Sequence, residues 1–420
     1  MSQFIIEGGN ALSGEVRVSG AKNAALPILA ASLLASDTLV INNVPNIQDI
    51  RTMIEILQSL GCTVSDLSNH KVIIDSSKVD GRDPDFIKVK KIRASVLILG
   101  PLLARFKKVK ATHPGGCQIG ARPIDTHLKA FADLGATVKS DDQFYYVEAP
   151  LGLKGTKIVL NEMSVTATEN ALMAAVLSPG TTEIRLAAAE PEISNLVESL
   201  NLMGAKIRGA GTHTLIIEGV DKLHGAEVNI IPDRIEAGTF AIAAAVMHGD
   251  VLIDGYREDH LNLVTNKLLA ANVKIQLVSN SCARISRTTH LKGVDIRTDI
   301  YPGFPTDLQA PFAVLLTQAS GNSKIYETMY EGRLNYFQEL TKMGASAQVL
   351  NSHEAVVFGP TPLQGKEINS LDIRAGATLI LAALTATGTS IITDAEIIDR
   401  GYENIEVKLK ALGAQIERRN

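Results

Sequence analysis

The chain has 420 residues, 45% of them hydrophobic and 20% charged, which is enough apolar sequence for two or three separate cores and excludes a disordered polymer. Its net charge of -4 supplies no overall basic field, so nucleic acid and anionic membrane are disfavoured as partners, and an anionic substrate would have to be held by a local cluster. Cys62, Cys117 and Cys282 are far apart, lack metal-ligand spacing and cannot all pair, which fits the reducing cytoplasm.

The N-terminus has neither a basic leader nor a long apolar run, and the later apolar helices reach only about 12 residues, so secretion and membrane insertion are disfavoured. Phe4 to Gly8 and Leu12 to Val18 predict a hairpin. Ala24 to Ala35 is apolar on nearly every side and predicts a helix buried all round. Thr38 to Ile41 is a strand. Ile50, Met53, Ile54, Leu57 and Leu60 then predict an amphipathic helix that ends in Leu60-Gly61-Cys62-Thr63-Val64, with glycine at the helix end.

That closing phrase recurs at Leu134-Gly135-Ala136-Thr137-Val138, Met203-Gly204-Ala205-Lys206-Ile207, Met343-Gly344-Ala345-Ser346-Ala347 and Leu412-Gly413-Ala414-Gln415-Ile416, with a degraded copy at Ala271 to Ile275. Six units with a period of about 70 residues fill the chain. All-round apolar helices recur at Ala94 to Ala104, Asn170 to Leu177, Thr239 to Met247, Ala310 to Ala319 and Ala377 to Ala386. After each phrase come two strands joined around a glycine, as in Phe144 to Glu148 and Lys157 to Leu160 flanking Leu153-Lys154-Gly155. One unit reads helix, strand, helix, strand, strand.

The sixth unit stops short, and the N-terminal hairpin matches its missing piece: Leu215 to Gly219 with Leu223 to Val228, and Ala355 to Gly359 with Leu363 to Gly365, are close copies of it. Burying such helices requires several units closed around them, so three units form each of two α/β domains, 21–231 and 232–420 plus 1–20. A two-strand hinge near Ser19-Gly20-Ala21 and Ile231-Pro232-Asp233 would join them, with the site expected between the lobes.

Repeats share scaffold residues, so chemistry is expected where a unit departs from the pattern. The clearest departure is the loop 111–122, with its insertion Pro114-Gly115-Gly116-Cys117 and, next to it, Arg122. A thiol on a glycine-rich loop beside an anion-binding charge is a catalytic arrangement; an incidental free cysteine on a surface loop is the competing reading. Lys22, Arg93, Arg234 and Arg374 precede the buried helices, and Arg122, Arg333 and Arg400 lie near the second helices, where N-H groups already favour anions. Together they suit a polyanion; singly, each reads as well as a salt-bridge residue. Asp307 opens a buried helix as an N-cap or as a general base, Asp372 holds Arg374, and Asp233 braces the crossing. No histidine pair has metal-ligand spacing, and His113 near Cys117 is a candidate pKa modifier. A Walker loop and a dinucleotide fingerprint are both missing, so no cofactor is expected.

Lys22-Asn23, Arg93-Ala94-Ser95, Pro114 to Cys117 with Gly120 to Pro123, Pro232 to Glu236, Thr306-Asp307, Glu331 with Arg333, and Asp399 to Glu403 resemble the UDP-N-acetylglucosamine enolpyruvyl transferase family over essentially the whole chain. The resemblance implies a two-lobed inside-out α/β barrel. It also implies transfer of the enolpyruvyl group of phosphoenolpyruvate to the sugar 3-hydroxyl of UDP-N-acetylglucosamine with loss of phosphate, without metal, as the first committed step toward peptidoglycan precursors. By matching position Cys117 would be the general acid or a covalent partner, forming a 2-(S-cysteinyl)pyruvic acid O-phosphothioketal, and the target of fosfomycin. Asp307 would take the sugar proton, and Lys22, Arg122 and Arg400 would hold phosphate and carboxylate. Asn23, Arg93, Pro123, Ile124, Asp125, Thr126, Ser164, Val165, Asp307 and Met329 would line the sugar-nucleotide site, with Arg333, Asp372 and Arg374 beside them. Thr166 stands where the family usually has glycine, and Leu334 where phenylalanine is common. Competing functions are shikimate-pathway enolpyruvyl transfer, a catalytically silent paralogue and a thiol redox protein.

Overall fold

The computed structural model describes residues 2–112 and 123–419. The chain divides into two compact units, one holding residues 2–19 and 232–419, the other 20–112 and 123–231. Each has its own apolar core, one built around Phe240, Phe312 and Leu379, the other around Ile28, Leu103 and Leu172.

Six sheets account for the named strands among the described residues, one per repeat. The core helices are Lys22–Ala31, Leu99–Phe106, Val165–Ala175, Arg234–Val246, Thr306–Gln318 and Ile373–Thr385, and the last three pack on one another within their unit. Almost every residue of these helices is buried, as their all-round apolar sequence requires. One departs from expectation: Arg93–Ile98 winds as a 3-10 segment, and the α-helix starts only at Leu99. Pro101 has no N-H to give Leu97, which removes one α bond from that turn, although Pro27 and Pro311 sit inside two of the other core helices without breaking them.

The amphipathic second helices end as the repeated phrase predicts. Gly61, Gly135, Gly204, Gly344 and Gly413 take φ between +98° and +103°, a region that costs glycine nothing. The degraded copy uses Asn272 at φ 68°, the next most tolerant residue.

The expected hairpins are not hairpins. Gln3–Glu7 pairs antiparallel with Thr389–Thr393 and Gln415–Arg419, whereas Ser13–Arg17 pairs parallel with Asp250–Asp254 in another sheet. In the same way Phe144–Glu148 and Lys157–Val159 belong to different sheets. Five of the six repeats also have one more strand than expected, because the residues after the phrase, such as Lys206–Arg208, form an edge strand of their own; the first repeat gains Thr63–Val64 in this way but has no strand after Lys71–Asp75. The reason for the crossing lies at the linking glycine: a Cβ on Gly225 would sit 2.1 Å from Thr38 O, and one on Gly365 2.3 Å from Thr389 O. Glycine lets the chain pass against another sheet's first strand and pair with it in parallel, so five of the six sheets among the described residues borrow a strand from another repeat of the same unit.

Candidate active site

In the unit built from residues 20–231, Lys22 is the first residue of its core helix and its ammonium lies 2.6 Å from the Asp49 carboxylate, both largely buried. Asp49 comes from the start of the amphipathic helix Gln48–Ser59, on the face turned inward. Asn23 follows on the same helix, half-buried. The Arg93 guanidinium donates to Pro123 O at 3.3 Å, which ties the 3-10 segment to the residues that open the helix Asp125–Asp133. Of these, Pro123 and Asp125 are exposed, while Ile124 and Thr126 are buried.

The start of Val165–Ala175 is fastened to the same place. Ser164 is its N-cap and accepts from Ala167 N, Thr126 Oγ1 reaches Glu162 Oε1 at 3.4 Å, and His127 Nε2 bonds to Thr166 Oγ1 at 3.0 Å. Burial, and then the nearby positive charge of Arg93, push the His127 imidazole down to about 3, so it is neutral at ordinary pH. One turn on, Glu169 is fully buried, its Oε1 has no hydrogen-bond partner among the described residues, and burial together with Glu192 and Glu190 holds its carboxyl well above the usual range.

In the other unit Asp307 is the second residue of Thr306–Gln318, but it is not the N-cap expected of it. Its Oδ1 accepts from Arg333 at 2.8 Å and lies 3.3 Å from Arg374 Nε. Burial would raise this carboxyl, yet the charges of Arg374 and Arg333 outweigh burial and hold it well below the usual carboxylate range. Arg374 in turn lies over the Tyr402 ring at 5.3 Å, and the Tyr402 hydroxyl bonds to Thr239 at 2.9 Å. Asp372 caps Ile373–Thr385 by accepting from Arg374 N and Ala375 N, so it holds that residue by its backbone and not by its guanidinium. Asp233 does the same for Arg234–Val246 through Ile235 N and Glu236 N. Met329 is partly exposed near these residues in sequence, with its N-H on Glu327, and Arg400 ends the 3-10 turn Ala395–Arg400.

The expected thiol, Cys117, lies outside the described residues, as do His113 and Arg122. The other two cysteines have thiols raised chiefly by burial, and Cys62 sits in the core. Sequence reasoning missed Asp49 and the Thr166 to His127 bond. An acid on the apolar face of an amphipathic helix was the available signal for the first; nothing in the sequence pairs the second. Among the described residues no group of three His, Cys, Asp or Glu side chains is placed to hold a metal ion, and no helix is long and apolar enough to cross a membrane.

The geometry offers an ionised carboxylate held between two guanidiniums in one unit, and a lysine and an arginine at helix starts in the other. Comparison with known proteins adds three findings. Residues 6–409 match the family model of EPSP synthase (3-phosphoshikimate 1-carboxyvinyltransferase). A protein from Gluconobacter oxydans (strain 621H) named UDP-N-acetylglucosamine 1-carboxyvinyltransferase is 46% identical over 418 residues, covering 100% of this chain and 99% of its own. Among solved structures, the enolpyruvyl transferase NikO from Streptomyces tendae is similar with a TM-score of 0.90 at 27% identity, covering 100% of this chain and 99% of that one, and EPSP synthase from Acinetobacter baumannii shares the fold with a TM-score of 0.77 at 18% identity, covering 100% of both.

Proposed function

The chain belongs to the EPSP synthase (3-phosphoshikimate 1-carboxyvinyltransferase) family, and on that premise we propose that it transfers the enolpyruvyl group of phosphoenolpyruvate to the 3-hydroxyl of UDP-N-acetylglucosamine, releasing phosphate. The observation that carries the choice of acceptor is 46% identity over the full chain to a protein named for that reaction, against 18% to an EPSP synthase of the same fold. The product serves peptidoglycan synthesis, and the reading places the protein in the cytoplasm, where an unpaired thiol persists.

In this reading Lys22, Arg122 and Arg400 hold the phosphate and carboxylate of phosphoenolpyruvate. Asn23, Arg93, Pro123 to Thr126, Ser164, Val165 and Met329 hold the sugar nucleotide. A proton from Cys117 reaches the methylene carbon, C2 becomes electron-poor, the sugar oxygen bonds to it, and the resulting tetrahedral phospho-ketal expels phosphate as the Cys117 thiolate takes a proton back from the new methyl group, which restores the enol double bond. Asp307 receives the sugar proton. A carboxylate kept strongly ionised by Arg374 and Arg333 is a weak base toward a neutral alcohol. The hydroxyl turns strongly acidic only as its oxygen bonds to C2, so Asp307 is suited to take the proton during that step and not before it.

Phosphate release from phosphoenolpyruvate, measured with UDP-N-acetylglucosamine or with shikimate 3-phosphate as acceptor, tests the assignment. Turnover with the first is expected; turnover with only the second would replace the acceptor, and none with either would leave a silent paralogue. Mass spectrometry after fosfomycin treatment should find the adduct on Cys117. An adduct on Cys62 or Cys282 with Cys117 unmodified would remove the thiol from the mechanism.

A further inference from the structure

Val44, Ala187, Gly255, Glu327 and Ala395 occupy the same place in five repeats, just beyond the strand that follows the core helix. In each, the N-H donates to the carbonyl of the residue immediately before that strand's antiparallel partner: His70, His213, Ser281, His353 and Ser2. All five are buried. Four are apolar or lack a side chain, as an enclosed scaffold position requires, while Glu327 carries a carboxyl that is 0% exposed. A buried carboxyl is costly unless it is hydrogen-bonded, so this departure from the repeat calls for a reason.

The side chain is fully engaged. Glu327 Oε1 accepts from Met329 N at 2.8 Å, Tyr330 N at 3.2 Å and Thr298 Oγ1 at 3.1 Å, and Oε2 accepts from Thr306 Oγ1 at 2.8 Å. Its backbone is clipped as well, since His353 Nδ1 donates to Glu327 O at 2.7 Å. That clip belongs to the scaffold: His70 holds Val44 O at 3.2 Å and His213 holds Ala187 O at 2.9 Å in the same way. The carboxyl alone is the departure. Valine or alanine here, as in the other repeats, would supply none of its four acceptor contacts.

Those contacts close a ring around the candidate proton acceptor. Thr306 opens the core helix and precedes Asp307. Tyr330, whose N-H lies on Glu327, has its ring 5.4 Å from the Arg333 guanidinium, and Tyr330 O accepts from Arg333 N at 3.3 Å. Arg333 then donates to Asp307 Oδ1 at 2.8 Å. One carboxyl thus ties the helix start that bears Asp307 to the turn that bears Met329 and Arg333.

We infer that Glu327 is a positioning residue of the enolpyruvyl transfer: through Thr306 it orients Asp307, and through the Met329 and Tyr330 amides it sets the turn that presents Met329 and Arg333. This role rests on the function proposed above. Glu327 acts by bonding geometry, and its place in the repeat, where no scaffold need calls for an acid, is the mark of that role.

Phosphate release by the full chain is measured first with UDP-N-acetylglucosamine and with shikimate 3-phosphate, and variants are then compared on the acceptor that the parent uses. Thr306→Val cuts the link from Glu327 to the Asp307 helix. It should lower kcat at least about fivefold with the acceptor KM within about twofold, because a misplaced proton acceptor weakens the transition state more than ground-state binding. Thr306→Ser keeps the hydroxyl and should stay within about twofold of the parent. Glu327→Ala should lower kcat at least about tenfold and raise the acceptor KM at least about threefold, since the turn is released too. Glu327→Gln can keep the three Oε1 bonds with its amide oxygen and meet the Thr306 hydroxyl with its NH₂, so it should restore kcat to within about threefold of the parent. If Glu327→Ala fails to fold, the Thr306 pair and Glu327→Gln decide. Reduced urea stability with kcat and KM unchanged, equal kcat for Thr306→Val and Thr306→Ser, or a Gln variant as damaged as Ala would overturn the inference while the transfer activity stands. A parent inactive with both acceptors would overturn the transfer reading itself, and the inference with it.

Discussion

Asp307 and Glu169 are carboxyls on core helices of the two units, and burial alone would raise both. Their fates are opposite. Two guanidiniums beside Asp307 reverse the effect of burial, while two further carboxyls, Glu192 and Glu190, add to it at Glu169. Exposure differs too: 23% of the Asp307 side chain is open to solvent, against 1% of Glu169. One repeated scaffold therefore holds an accessible carboxylate kept ionised in one place and a sealed carboxyl pushed toward its protonated form in another, and neighbouring charge decides which.

The largest expected effect is at the accessible anion. Asp307→Asn should lower kcat by about 10²- to 10⁴-fold while the KM for the sugar nucleotide changes far less, because general base catalysis is worth that much. Near-normal kcat in steady-state assays would leave Asp307 a structural counter-ion for Arg333 and Arg374.

Next in size is Arg374→Met. Removing one partner of a buried ion pair should cost about 3 to 5 kcal/mol in urea denaturation. The sign with pH follows from the depressed carboxyl: its stabilisation is present above the unfolded value and is lost as pH falls through the folded one. In the variant that acid limb should shift to higher pH; an unmoved limb would mean that Arg374 does not set the charge on Asp307.

Glu169→Gln tests the other half. A carboxyl whose folded value is raised binds its proton more tightly than the unfolded chain does, so stability is lost as pH rises from the unfolded value, near 4.5, toward the folded one. The Gln variant escapes that loss, and its advantage over the parent should grow by up to about 1.4 kcal/mol per pH unit across this window. Parallel stability curves from pH 5 to 8 would show Glu169 to be ionised in its enclosure.

The smallest effect concerns the strut beside it. Thr166→Val deletes the hydroxyl that meets His127 and should cost about 0.5 to 1.5 kcal/mol, with Thr166→Ser restoring most of it. Equal stability of the Val and Ser variants would make the contact incidental.

Much of this was legible in the sequence because it is local. The phrase ending in Gly61, Gly135, Gly204, Gly344 and Gly413 fixes a left-handed turn at each helix end, and the all-round apolar helices fix what must be enclosed. Cys117, Lys22, Arg400 and Asp307 were singled out by motif, and the structure adds the partners of two of them: Asp49 beside Lys22, and Arg333 with Arg374 beside Asp307. The partners were hidden because each pair spans tens of residues, and no spacing rule links a helix start to a distant side chain.

The sequence by itself determined the repeat, the helix ends and the residue types at the candidate site, since propensity, periodicity and glycine chemistry act within a few residues. Strand routing was decided only in three dimensions. Glycines such as Gly225 read as hairpin turns, yet the ladder forms with whichever strand the packed helices bring alongside. The same holds for charge: Asp307 and Glu169 are both acids in apolar helices by sequence, and only the fold places arginines around one and carboxylates around the other.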